Sequence, residues 1–231
     1  MFEISPAEWT AILLSLRVAI IATLVATPFG IALAWLLARR NFWGKSVLDA
    51  AVHLPLVLPP VVTGYLLLLS FGRRGLIGSW LADHLGIVFA FRWTGAALAC
   101  GIMSFPLLVR PIRLSIEAID RRLEQASSTL GAAPWQVFAT VTLPLALPGV
   151  LAGMVLGFAK AIGEFGATIT FVSNIPGETQ TISSAIYSLI QTPDGDSAAG
   201  RLVLVSIVIA MSALIASEWF ARRATKRLHG N

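Results

Sequence analysis

The sequence predicts an all-helical protein that crosses a membrane about five times, as a single domain over residues 1–231. Three observations carry this. Of the 231 residues, 56% are hydrophobic and 13% charged, against about a quarter charged in soluble domains. The apolar residues gather into five long runs, at 11–37, 54–71, 94–109, 145–162 and 202–220, and a helix needs roughly 20 such residues to span a bilayer. Each run is continuous and rich in Leu, Ala and Ile, unlike the short alternating segments of a membrane β-barrel.

The first run is too long for a signal-peptide core and is preceded by Glu3 and Glu8 instead of basic residues, so it is expected to remain in the mature protein. The second contains Pro55, Pro59 and Pro60. Proline removes a backbone donor and clashes with the preceding turn. The run is therefore either a broken helix or one that begins at the proline pair after an interfacial segment. Arg92 separates the third run from a shorter one at 87–91, leaving its start on either side. The fourth carries Gly149, Gly153 and Gly157 at four-residue spacing, a smooth strip that lets another helix approach closely, in the same chain or a second copy.

Lys160 and Glu164 stand one turn apart at the end of that run, where they can pair. About 39 residues then lead to the fifth run. Within them Ile182, Ile186, Leu189 and Ile190 have helical spacing, predicting an amphipathic helix at the outer surface. It would seat on an external partner or lie on the membrane.

Basic residues set the orientation. Of 17, 11 fall in alternate loops: Arg39, Arg40 and Lys45; Arg110, Arg113, Arg121 and Arg122; Arg222, Arg223, Lys226 and Arg227. Positive loops stay in the cytoplasm, which places the N-terminus outside and the C-terminus inside. The formal charge of +5 is thus a topology signal. No basic stripe interleaves with aromatics as nucleic-acid binding requires, so no nucleic-acid partner is expected.

Catalysis inside a membrane requires converging ionisable or metal-binding groups. His53, His84 and His229 are far apart, and Cys100 is the single cysteine; neither a metal site nor an internal disulfide is expected. Gly44-Lys45-Ser46 is preceded by Arg39 where a phosphate-binding loop needs its first glycine. No nucleotide hydrolysis is expected of this chain.

The loop at 110–144 is the most informative stretch. Ile112, Ile116, Ile119, Leu123, Ala126 and Leu130 recur every three or four residues, with charges on the other face. The pattern predicts one amphipathic helix ending at Gly131, with Pro134 opening the next. A helix, a glycine elbow and a second helix would form either a knob for another protein or a hairpin on the membrane surface.

Glu124-Gln125-Ala126-Ser127, Gly131 and Val141-Thr142-Leu143-Pro144 resemble the EAA loop of ABC importer permeases. That pattern runs Glu-Ala-Ala, three residues, Gly, nine residues, an aliphatic residue, one residue, Leu-Pro. Here Gln125 occupies the glutamate position, with Glu124 just before it. The runs at 53–69, 163–176 and 180–193 are similar to permease subunits of bacterial molybdate importers, with sulfate/thiosulfate permeases as relatives.

The resemblance implies a type I ABC importer permease in the bacterial inner membrane, surrounded by lipid. It implies a homodimer, two cytoplasmic ATPase subunits that hold ATP and Mg, and a periplasmic molybdate-binding protein, with no cofactor on this chain. Glu124, Gln125, Ala126, Ser127, Leu130, Gly131, Ala132, Pro134, Val141, Leu143 and Pro144 would couple to the ATPase. Thr63, Ser104, Thr168, Thr170 and Ser173 are candidate pathway hydroxyls able to bond an oxyanion without a trapping charge, with Glu164 beside them. The rivals are a permease for sulfate or tungstate and, from another class, a membrane scaffold or enzyme.

Overall fold

The computed structural model describes the backbone of residues 4–229 and the side chains of residues 4–216, and among these residues every regular element is helical. Helix α1 (Pro6–Arg39) opens with a reciprocal cap: the Ser5 hydroxyl accepts from the Glu8 N–H at 3.2 Å, and the Glu8 carboxylate accepts from the Ser5 N–H at 2.6 Å. Two otherwise orphaned donors are satisfied at once.

The proline-rich run is a broken pair. Helices α2 (Lys45–Val57) and α3 (Pro60–Phe71) meet at 114°. Pro60 takes the first position of α3, where its missing N–H leaves nothing unsatisfied. Helix α4 (Leu76–Leu85) follows. Helix α5 (Trp93–Glu117) starts directly after Arg92, leaving the 87–91 run outside it, and continues well past Val109.

After α6 (Arg121–Thr129) comes α7 (Pro134–Val137), which passes through a π turn at Phe138–Thr142 into α8 (Leu143–Ile162). Helices α9 (Gly166–Val172) and α10 (Ile182–Leu189) precede α11 (Asp196–His229). The side chains of residues 217–220 and of Arg222, Arg223, Lys226, Arg227 and His229 lie outside the described residues, as does Glu3. Among the described residues four helices are long and apolar enough to cross a membrane, and a fifth if the bent α2–α3 pair counts as one.

Helix α5 is the centre of the bundle, with α1 and α8 packed against it. The glycine strip explains how α8 comes so close. A Cβ on Gly149 would stand 2.7 Å from the Pro111 carbonyl oxygen, and one on Gly153 2.5 Å from that of Leu108. The strip's partner is α5 of the same chain. One apolar cluster (Val18, Cys100, Met103, Phe171) fills one end of the bundle, and another (Ala34, Leu108, Ile112, Ile116, Val150) fills the end that carries the 110–144 loop.

Two expectations are corrected. The periodic stretch from Ile112 to Leu130 is not one helix: Ile112 and Ile116 are buried in the tail of α5, the chain turns at 118–120, and α6 buries no residue. Asp120 makes the break, accepting from the Arg122 N–H at 2.9 Å as the cap of α6. The amphipathic helix at 182–190 does not present its apolar side outward. Ile182 and Ala185 of α10 pack with Ala11 and Ile12 of α1 and Leu202 of α11. Its first N–H donates to Ser15 Oγ at 2.7 Å.

Candidate functional site

The loop from α5 to α8 is built around an elbow. Helix α6 ends with the Leu130 N–H on the Ala126 carbonyl and the Ala132 N–H on the Ser127 carbonyl. Gly131 then turns the chain at φ +90°, a conformation in which a Cβ is strained and glycine is not. Pro134 starts α7, and the Gln136 side chain accepts from the Ala133 N–H at 2.8 Å.

Beneath the elbow, Glu124 is the hub of a polar knot. Its carboxylate meets Arg39 Nε of α1 at 3.1 Å and accepts from the Thr142 hydroxyl of the π turn at 2.6 Å. Arg39 also donates to the Ile119 carbonyl at 3.2 Å, closing the end of α5. Trp35 of α1 packs edge-on against Phe138. These groups surround an open pocket of about 500 Å³, lined also by Arg40, Arg121 and Gln125. Charge-assisted bonds of this kind are roughly twice as strong as neutral ones, and these three elements are therefore held as one body.

Gln125, in the position of the family's glutamate, is exposed; Glu124 faces inward and makes the polar contacts. Ala126, Gly131 and Pro134 are exposed, as is Pro144, while Ser127, Ala132, Val141 and Leu143 are half-buried. Leu130 is 88% and Trp135 70% exposed. An apolar rim thus flanks the elbow, the arrangement expected of a docking knob.

A second tie lies nearby. Arg113 of α5 donates to Asp49 of α2 and to Glu117, each at 2.8 Å. Neither Arg39 nor Arg113 stood out in the sequence as more than a topology charge. Their partners are 85 and 64 residues away, and no local pattern reveals them.

The candidate pathway groups lie elsewhere. Thr168 donates to the Phe165 carbonyl and Thr170 to that of Gly166, each at 2.8 Å. Ser104, fully buried, donates to the Gly101 carbonyl at 3.2 Å. Their hydroxyls satisfy their own helices. Ser173 is exposed at φ +65°. Glu164 is buried, and one oxygen caps α9 through the Ala167 N–H at 3.0 Å. Thr63 is buried too, and its Oγ1 has no hydrogen-bond partner among the described residues. Gly64 of α3, next to Thr63, lies directly on Ala167 and Thr170 of α9.

Comparison with known proteins fits this geometry. The family described as "Binding-protein-dependent transport system inner membrane component" matches residues 26–228. The molybdenum transport system permease protein ModB of Escherichia coli (strain K12) is 62% identical over 220 residues, covering 95% of this chain and 96% of that protein. ModB of Haemophilus influenzae is 58% identical, covering 96% of each. In fold, the chain is similar to a bacterial alginate ABC transporter solved with an alginate-bound periplasmic protein, at a TM-score of 0.75 and 20% identity, over 96% of this chain and 81% of that one. A helical membrane bundle with a glycine elbow between its third and fourth spans, matched along almost its whole length, belongs to the family of inner membrane components of binding-protein-dependent transport systems.

Proposed function

We propose that this chain is the membrane-spanning subunit of an ATP-driven importer of molybdate. The observation that carries the reading is the 62% identity to a molybdenum permease across 95% of the chain, joined to an elbow whose exposed rim suits a partner. Two copies enclose the path, with N-termini outside, C-termini in the cytoplasm and lipid around them. Two ATPase subunits receive the elbows, and they hold the ATP and Mg; the chain itself hydrolyses nothing and binds no cofactor. A periplasmic molybdate-binding protein delivers the anion.

Nucleotide can move such a machine only by making different contacts with its inward- and outward-open states. The Arg39–Glu124–Thr142 knot supports the elbow as the point of transmission, because it joins α6 to α1 and to the start of α8. A push on the elbow is then delivered to two spans together.

The test is reconstitution of the chain with its ATPase and binding protein in proteoliposomes. Molybdate-loaded binding protein is expected to stimulate ATP hydrolysis and drive molybdate inward, ahead of tungstate and sulfate in competition. Accumulation of sulfate in preference to molybdate overturns the substrate, and absence of ATP-dependent uptake of all three overturns the import reading.

A further inference from the structure

At the end of the bundle away from the elbow lies a charge outside the coupling face. Lys160 is the only charged residue of α8. Its ammonium donates to Glu164 Oε2 at 2.7 Å; the lysine side chain is 30% exposed and the glutamate 1%. The other glutamate oxygen is taken by the Ala167 N–H. Glu164 is therefore buried and fully engaged. An ammonium has three donors, and among the described residues Lys160 uses one.

Ionisable groups in membrane helices are costly, so the pair needs a reason. Capping α9 requires only an acceptor, and an uncharged Ser or Asn side chain supplies one. A buried carboxylate one turn beyond a lysine becomes useful when the lysine itself must stay there as a cation. Opposite charges attract far more strongly at the effective dielectric constant of a protein than in water, and a dianion more strongly than a monoanion. A lone ammonium would therefore hold a dianion tightly. With Glu164 behind it, most of that attraction is cancelled, while the hydrogen-bond donors on the accessible side remain.

Resting on the import reading above, we propose that Lys160, charge-balanced by Glu164, is a transient contact for a small tetrahedral dianion on its way along the path that two copies enclose. The site offers donors without a deep well, so the anion is recognised and released.

A structural staple and an anion contact respond differently to removing both charges. In the reconstituted complex, Lys160→Met with Glu164→Gln keeps an acceptor for the Ala167 N–H and leaves no unpaired charge. A staple predicts uptake within about twofold of wild type; the proposal expects molybdate uptake to fall roughly tenfold or more, with the ATPase still bound and the thermal midpoint unchanged. Lys160→Arg should keep most uptake.

If the doubly neutral variant does not assemble, Lys160→Cys in a Cys100→Ala background decides. Aminoethyl methanethiosulfonate restores an ammonium and should restore uptake, whereas the methyl reagent should not; equal effects of the two overturn the proposal. Wild-type uptake separates the two readings. If wild type accumulates tungstate or sulfate instead, the molybdate assignment fails and Lys160 is tested with that anion. If wild type accumulates molybdate and the neutral pair matches it, Lys160 fails and the import reading stands.

Discussion

The elbow knot and the candidate pathway groups at the other end of the bundle use polar side chains in opposite ways. At the elbow, side chains bond across elements far apart in sequence: Arg39 to Glu124, Glu124 to Thr142, Arg113 to Asp49. At the other end, Thr168, Thr170 and Ser104 bond their own helices, and Lys160 pairs with Glu164 one turn away. One end is wired to transmit a displacement between helices. The other ties α1 to α10 and α11 through Ser15 and the Glu8–Arg201 pair, but satisfies the candidate pathway hydroxyls locally and leaves a lysine and one threonine with spare capacity.

The largest expected effect breaks the elbow. Gly131→Trp strains a φ of +90° and adds bulk beside Leu130. The ATPase should no longer co-purify and uptake should be lost; Ala126→Arg, on the same exposed helix, should do likewise. Retention of the ATPase by both would show that docking does not use the elbow.

Next comes the knot beneath it. Glu124→Ala leaves Arg39 and Thr142 without their shared acceptor, and should lower stability by about 1–3 kcal/mol. Molybdate moved per ATP should also fall. Gln125→Ala, on the exposed side, should leave the thermal midpoint unchanged. Equal loss of stability in the two would erase the inward and outward assignment.

Between the ends, Gly153→Ala forces a Cβ to within 2.5 Å of the Leu108 carbonyl oxygen. Overpacking of this kind costs about 1–3 kcal/mol, measurable as a lowered midpoint, whereas Gly157→Ala meets only Leu108 side-chain atoms at 3.6 Å and should be nearly neutral. Smallest is Ser15→Ala, which removes the acceptor for the first N–H of α10 and should cost about 1 kcal/mol, read as faster hydrogen exchange in α10 with uptake intact.

What was legible follows the same division. The elbow could be read because glycine and proline act on their own neighbours, as Gly131 and Pro134 do. The knot could not, since nothing near Arg39 announces a carboxylate 85 residues on. Ile112 to Leu130 misled because an apolar period runs unchanged from the buried tail of α5 into exposed α6; Asp120, a good capping residue, was the available signal. The segment after α8 misled for another reason. Amphipathicity shows that a face must be covered, and α1 and α11 cover it from within the chain.

The π turn at Phe138–Thr142 has a consequence for phase. There the Leu143 N–H reaches back to the Phe138 carbonyl, five residues instead of four. One extra residue in a helix of 3.6 per turn rotates everything beyond it by about 100°. The elbow and the glycine strip thus share one rod of 29 residues while facing directions set independently of each other. Deleting a single residue from the turn would leave both surfaces intact in composition and aim them past their targets.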